Sequence, residues 1–233
     1  MWRFFRGSNR LREMLDSVDR LALLLAAMCH DLEHPGTTNA FQVNMQSELA
    51  IRYNDKHVLE NHHSCVASQL LLPLMKHWPP DRARVVRKLV VHEILLTDMA
   101  DHKMLVGCVK DRDWADRPFD WESLDDRQLL GAFVLHTADL GNPTLPPALS
   151  QRVAGRLAQE FERQEQLEAA ADLPPTAAPM VAHSVSKRAD MEIGFIKFVV
   201  YPLYEQARPL LRPPRGRLRL PCAHLVPLQD CSY

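Results

Sequence analysis

Glycine is scarce in this chain, eight residues in 233, beside many Leu, Ala, Arg and Glu. That balance favours helix over sheet. No stretch alternates apolar and polar residues far enough to read as a strand, and no internal repeat is visible. Cysteine is sparse as well: five residues, an odd number, with no C-x-x-C pair. This excludes a disulfide framework and suits free thiols in a reducing compartment. Neither sign of charge is in excess. A net charge of −1 leaves no footprint for nucleic acid or an anionic membrane. The tight apolar run near the start, Leu21 to Cys29, is about nine residues and too short to span a bilayer. The opening residues mix acidic and basic groups and lack a small-residue cleavage site, so no secretory leader is read. These absences together point to a cytoplasmic protein.

What is present is helical periodicity. Leu15, Val18, Leu21, Leu25 and Met28 recur at helical spacing within 11–34. Further helices are expected over 47–53, with Ser47 as its cap, and over 59–77, ended by Pro79-Pro80. Residues 82–98 carry a broad apolar face of Val85, Val86, Leu89, Val90, Ile94 and Leu95. The spacing predicts three more helices, over 126–140, 147–168 and 184–207, with an Ala- and Pro-rich mobile loop at 169–183. After Pro209 the chain turns Pro- and Arg-rich without period, and 209–233 reads as a poorly ordered basic tail. The fold class is all-α, a compact multi-helix bundle filling 1–208.

Several polar residues interrupt these apolar helices. His30-Asp31 and His34 follow the apolar run and precede Pro35-Gly36; if the helix continues to His34, the two histidines share one face. Glu60-Asn61-His62-His63, Thr97-Asp98, His136 and Asp139 complete the set. Imidazole and carboxylate are both ligands of first-row metals, and a carboxylate can bridge two ions. Asp139 ends an apolar helix, and a buried carboxylate needs a partner or a cation. Read singly, each residue is ordinary, a polar helix end or a solvated acid. Together they outline a metal site gathered from separate helices.

Five stretches, CHDLEHPGTTNAFQ at 29–42, YNDKHVLENHH at 53–63, ILLTDMADH at 94–102, HTADLGNPTLP at 136–146 and IGFIKFVVYPLYE at 193–205, carry a resemblance. The chain is similar to the catalytic domain of the class I 3′,5′-cyclic nucleotide phosphodiesterases, an HD-type fold, over about residues 20–206. ELAIRYND and IGFIKFVVYPLYE look most like the high-affinity cGMP-specific branch. The resemblance implies His30, Asp31 and Asp139 as metal ligands, Asp31 bridging a zinc ion and a second ion, magnesium or manganese. It implies His34, Glu60 and Thr97 as the groups that orient metal-bound water. It implies Phe195 and Leu157 as the two walls of a purine clamp, with Asn142 on the base side. Read blandly, Phe195 and Leu157 are core residues of amphipathic helices. The implied reaction is hydrolysis of cGMP or cAMP to a nucleoside 5′-monophosphate in signal transduction, with the cations activating water and stabilising phosphoryl charge.

Two departures qualify that reading. The family's His-Asn-x-x-His stretch, source of a general acid and one more metal ligand, has no match in Met1 to Arg20. The expectation is a partial domain, completed by an upstream helix, with a regulatory domain or a second copy as partner. A catalytically silent binding module is the alternative, and another HD-type phosphohydrolase a third. The second departure is Glu192, where the family places glutamine. An ionised carboxylate only accepts hydrogen bonds, which leans toward guanine with its N1 and N2 donors. Ser150 and Val153 are also smaller than the aromatics some relatives carry there, so the pocket reads as looser.

Overall fold

The computed structural model describes residues 11, 14–112, 120, 122–176, 181 and 184–211. Most of the tail expected at 209–233, and part of the loop expected at 169–183, lie outside these residues. The helices are α1 (Ser17–Cys29), α2 (Asn39–Asn44), α3 (Glu48–Tyr53), α4 (Val58–Leu74) and α5 (Pro80–Leu95). They continue with α6 (His102–Lys110), α7 (Leu124–Asp139), α8 (Pro147–Ala170), α9 (Val185–Phe195) and α10 (Tyr201–Leu211). There is no strand among the described residues, and the fold is all-α.

Local chemistry places the boundaries. Asp16 accepts from the amides of Val18 and Asp19 while Asp19 reaches back to the Asp16 amide, a capping box that starts α1 at Ser17; Leu11 and Met14 are helical as expected, but Leu15 and Asp16 break the helix expected to run on from 11. Ser47 accepts from the Ala50 amide at 3.1 Å and starts α3, as its position suggested. Pro80 and Pro147 occupy first helical positions, where a missing N–H costs nothing. α8 and α10 run past the ends expected for them, to Ala170 and Leu211. The short α2 and α6 are not among the helices expected from sequence. Ile196–Val200 forms one π turn between α9 and α10.

α7 is the axis of the molecule. Leu130 through Thr137 are all buried, and the helix is enclosed by α1, α5, α6 and α10. A helix apolar all round belongs inside. Phe133, Leu130 and Leu135 join Leu23, Leu89, Ile94, Leu105 and Leu203 among the fully buried side chains. Two acids share this interior. Asp19 pairs with Arg127 at 2.7 Å, whereas Glu93, 1% exposed, leaves its Oε2 without a hydrogen bond. The polar C-terminal end of α7 emerges beside the C-terminal end of α1.

Candidate metal centre

α1 ends at Cys29, and the chain turns at once. Leu32 N–H donates to Cys29 O and His34 N–H to Asp31 O, both at 3.2 Å, and Glu33 takes φ 58. His30 and His34 therefore do not share a helix face; tight turns, not a continued helix, present them. His30 reaches across to α7. Its Nε2 lies 3.1 Å from Asp139 Oδ1 and 3.2 Å from Asp31 Oδ2, and its Nδ1 donates to the Ala27 carbonyl at 3.0 Å.

That geometry tests the donor set. With Nδ1 carrying the hydrogen, a neutral His30 points the lone pair of Nε2 at two carboxylates. Three electron-rich atoms then face one point, and only a positive charge reconciles them. Burial alone pulls the His30 pKa down, but hydrogen bonds and charge from Asp139 and Asp31 outweigh it and hold it at about 10. The hydrogen bond from His30 conversely lowers the Asp31 carboxyl. A divalent cation satisfies the same three donors without that proton, and His30, Asp31 and Asp139 fit one.

A second group of side chains gathers around Glu60 and Asp98. Glu60 on α4 is partly buried; burial pushes its carboxyl up, the Asn39 hydrogen bond opposes that, and the charge of Asp98 adds to it. Asn39 Nδ2 donates to Glu60 Oε2 at 2.9 Å and to Asp98 Oδ2 at 3.3 Å, holding the two acids together. Its Oδ1 accepts the Leu59 amide at 2.9 Å, which caps α4 from another element because His57 supplies no side-chain cap. His57 Nδ1 donates to Asp98 Oδ2 at 2.8 Å. Thr97 Oγ1 donates to the Ile94 carbonyl at 2.8 Å, which leaves its lone pairs for another donor. His34 is exposed, accepts the Gly36 amide at 3.1 Å on Nδ1 and stacks on His63 with centroids 5.6 Å apart. Burial lowers the His63 pKa, and its Nδ1 donates to the Leu32 carbonyl at 2.6 Å.

Asn39 and His57 were not picked out from sequence as site residues, although both lie in the quoted stretches; His63 and Asp98 belong to the polar set that the sequence did single out. The available signal was the cost of burying Asp98 and Glu60 near one another, which demands a shared donor such as Asn39.

The remaining candidates lie on the turn after α7 and on α8 and α9. Asn142 begins a short 3₁₀ turn, where its Oδ1 is buried without a partner and its Nδ2 approaches the Ser150 carbonyl at 3.5 Å. Leu157 on α8 and Phe195 on α9 are 48% and 39% exposed, so neither is a core residue. Glu192 is exposed one turn before Phe195. Arg188 Nη2 lies 3.8 Å from Glu162 Oε1, which brings α9 alongside α8 near these side chains. α8 also packs on the start of α2: buried Gln164 accepts the Thr38 amide at 2.8 Å and donates to Glu168 at 2.8 Å. Glu168 in turn takes the Thr176 amide at 3.0 Å and its hydroxyl, anchoring the segment after α8.

Comparison with known proteins gives a consistent result. A family model described as 3′5′-cyclic nucleotide phosphodiesterase matches residues 1–215. The high affinity cGMP-specific 3′,5′-cyclic phosphodiesterase 9A of Homo sapiens is 35% identical over 199 residues, covering 84% of this chain and 33% of that protein. The 3′,5′-cyclic-nucleotide phosphodiesterase regA of Dictyostelium discoideum is 33% identical over 220 residues, 93% of this chain and 27% of that protein. The chain thus spans about a third of the length of these relatives. Among solved structures, the phosphodiesterase domain of Salpingoeca rosetta rhodopsin phosphodiesterase superposes with a TM-score of 0.77 at 40% identity. That match covers 81% of this chain and 59% of the other.

Proposed function

Because the chain belongs to the 3′,5′-cyclic nucleotide phosphodiesterase family, we propose that it takes part in metal-dependent hydrolysis of 3′,5′-cyclic nucleotides to nucleoside 5′-monophosphates. The observation that carries this reading is His30 Nε2, set between the carboxylates of Asp31 and Asp139 with its other nitrogen tied to Ala27. His30, Asp31 and Asp139 would hold a zinc ion, which suits mixed nitrogen and oxygen donors. The outward-facing Asp31 carboxylate, 67% exposed, would share a second ion, magnesium or manganese, which prefer oxygen and retained water. Bound there, two cations supply a water activated at neutral pH and neutralise charge on the phosphoryl oxygens.

The chain's own groups do the rest. Asn39 holds Glu60 and Asp98 together, and these would be the acids that serve the metal site. Glu60, raised by burial, accepts or holds a proton near neutral pH more readily than an exposed glutamate. Thr97, whose hydroxyl lone pairs are left for another donor, and the exposed His34 would help orient the reacting water. Phe195 and Leu157, exposed on neighbouring helices, are the proposed walls for the purine, and Asn142 and Glu192 its polar contacts. Glu192 favours guanine, in line with the name of the human relative. The free thiols of Cys29, Cys65 and Cys108 support a cytoplasmic setting.

The test is turnover of cAMP and cGMP by the purified chain with zinc and magnesium or manganese, beside Asp139→Ala. Hydrolysis lost in the variant supports the reading. A folded, metal-loaded chain with no turnover on either nucleotide overturns it for this chain.

A further inference from the structure

His136 sits where a hydrophobic side chain would be expected. It is 0% exposed, in the midst of the apolar run of α7, and burying an imidazole there is unfavourable without a partner. Its one hydrogen bond among the described residues runs from Nε2 to Nδ1 of His102 at 2.9 Å, with ring centroids 5.2 Å apart. His136 Nδ1 meets no group at hydrogen-bond geometry, although the Thr97 backbone lies close enough to act on the ring. Burying a polar ring in an apolar run is costly unless its nitrogens are met, so the bond to His102 is what this ring depends on.

The positions of the two rings say what that bond does. His136 lies three residues before Asp139, on the last turns of α7. His102 opens α6, directly after the turn of Thr97, Asp98 and Asp101. One residue on, Tyr204 of α10 donates to the Thr137 carbonyl at 3.1 Å. The end of α7 is thus held between two polar contacts, one to α10 and one to α6. We propose that His102 and His136 are positioning residues of the metal centre: the bond between their rings sets the Asp139 end of α7 against the Thr97–Asp98 turn.

The residue type suits the task. Burial, then His102, draws the His136 pKa down to about 4, and burial lowers that of His102. Both rings are neutral at physiological pH, so the link adds no positive charge one turn from a cation site. A lysine or arginine there would repel the ion it was meant to help place.

The inference rests on the reading that His30, Asp31 and Asp139 hold a cation. Its test is Zn²⁺ affinity, measured by competition with a chelating indicator, beside the melting temperature of the metal-free chain. His102→Ala, His136→Leu and their double variant break the link. His102→Asn and His136→Gln retain an amide able to donate and accept. The breaking variants are expected to bind Zn²⁺ about 10–100-fold more weakly, the range seen when outer partners of a metal site are lost. The double variant should be no worse than the poorer single one, and the amide variants should stay close to the parent chain. Should His136→Leu fail to fold, His102→Ala decides, since that ring lies nearer the surface. Unchanged affinity in the breaking variants, with only the metal-free melting temperature lowered, would reduce the pair to a core contact. A parent chain that binds no Zn²⁺ at all overturns the metal reading itself, and this inference with it.

Discussion

The carboxyl group of Glu93 on α5 lies flat against the backbone of Gly131 on α7. A Cβ built at 131 would collide with Glu93 Oε1 and sit 2.9 Å from its Cδ. The two helices approach so closely there because one residue has no side chain, and the space is filled by an acid. Gly131→Ala should therefore destabilise the fold by about 1–3 kcal/mol, as overpacking of a core does. Glu93→Ala in the same chain should recover part of the loss. Additive costs in a denaturant titration would contradict the contact.

The pH dependence of stability follows from the same acid. Burial, reinforced by the charge of Asp19, raises the Glu93 carboxyl well above its ordinary value. Between the ordinary value and the raised one, the native state holds a proton that the unfolded chain has released. The native state binds more protons, so stability falls as pH rises through that window, and is greatest below it. Glu93→Gln should flatten this slope and stabilise the chain at neutral and alkaline pH, by about 1–3 kcal/mol for an unpaired buried group removed. Urea midpoints at several pH values measure it. A slope identical to that of the parent would assign it to other groups.

Asn39 is the hub between two acids and a helix start. Asn39→Ala removes the donor that joins Glu60 to Asp98 and the acceptor that caps α4 at Leu59. The cap alone is worth about 1 kcal/mol. Asn39→Asp keeps an acceptor but sets a third carboxylate against the other two, and should be the worse variant at neutral pH. A chevron or midpoint series that ranks Ala below Asp would show that the cap, not the acids, dominates.

Metal removal should be visible without activity. A ligand bound only by the folded state stabilises by about 2.7 kcal/mol at a hundred times its Kd. Zn²⁺ should raise the melting temperature of the parent chain and not that of Asp139→Ala, and a chelator should reverse the shift. Equal shifts in both chains would place the ion elsewhere.

The proposed base preference rests on one position. Glu192→Gln restores an amide able to donate and accept, and should shift the ratio of kcat/KM for cGMP over cAMP toward cAMP. A single hydrogen bond of this kind is worth about 0.5–1.5 kcal/mol, so a change of a few-fold to about tenfold is expected. An unaltered ratio removes Glu192 from the base pocket.

Part of this site was legible in the sequence. His30, Asp31 and Asp139 stood out because each interrupts or ends an apolar helical run, and the structure brings them within reach of one another. The helices themselves followed from apolar periodicity and from caps such as Ser47. What stayed hidden were the couplings. His57 meets Asp98 across 41 residues of sequence and His102 meets His136 across 34, and no local spacing announces such pairs. The shape of the metal loop was hidden for another reason. Its turns after Cys29 depend on Glu33 taking a left-handed conformation, which glutamate seldom does and composition does not reveal.

The π turn at Ile196–Val200 has a geometric consequence. A π turn amounts to one residue inserted into a regular helix, and an inserted residue rotates the upstream helix by about 100° relative to the downstream one. Downstream, Val200, Leu203, Ala207 and Leu210 are buried. Upstream, Glu192 and Phe195 are exposed. The two registers are thus offset by a fixed angle, which keeps the upstream face turned outward while the downstream face packs the interior. A single-residue deletion anywhere in 196–200 would merge them into one frame and swing Glu192 and Phe195 away from their present heading.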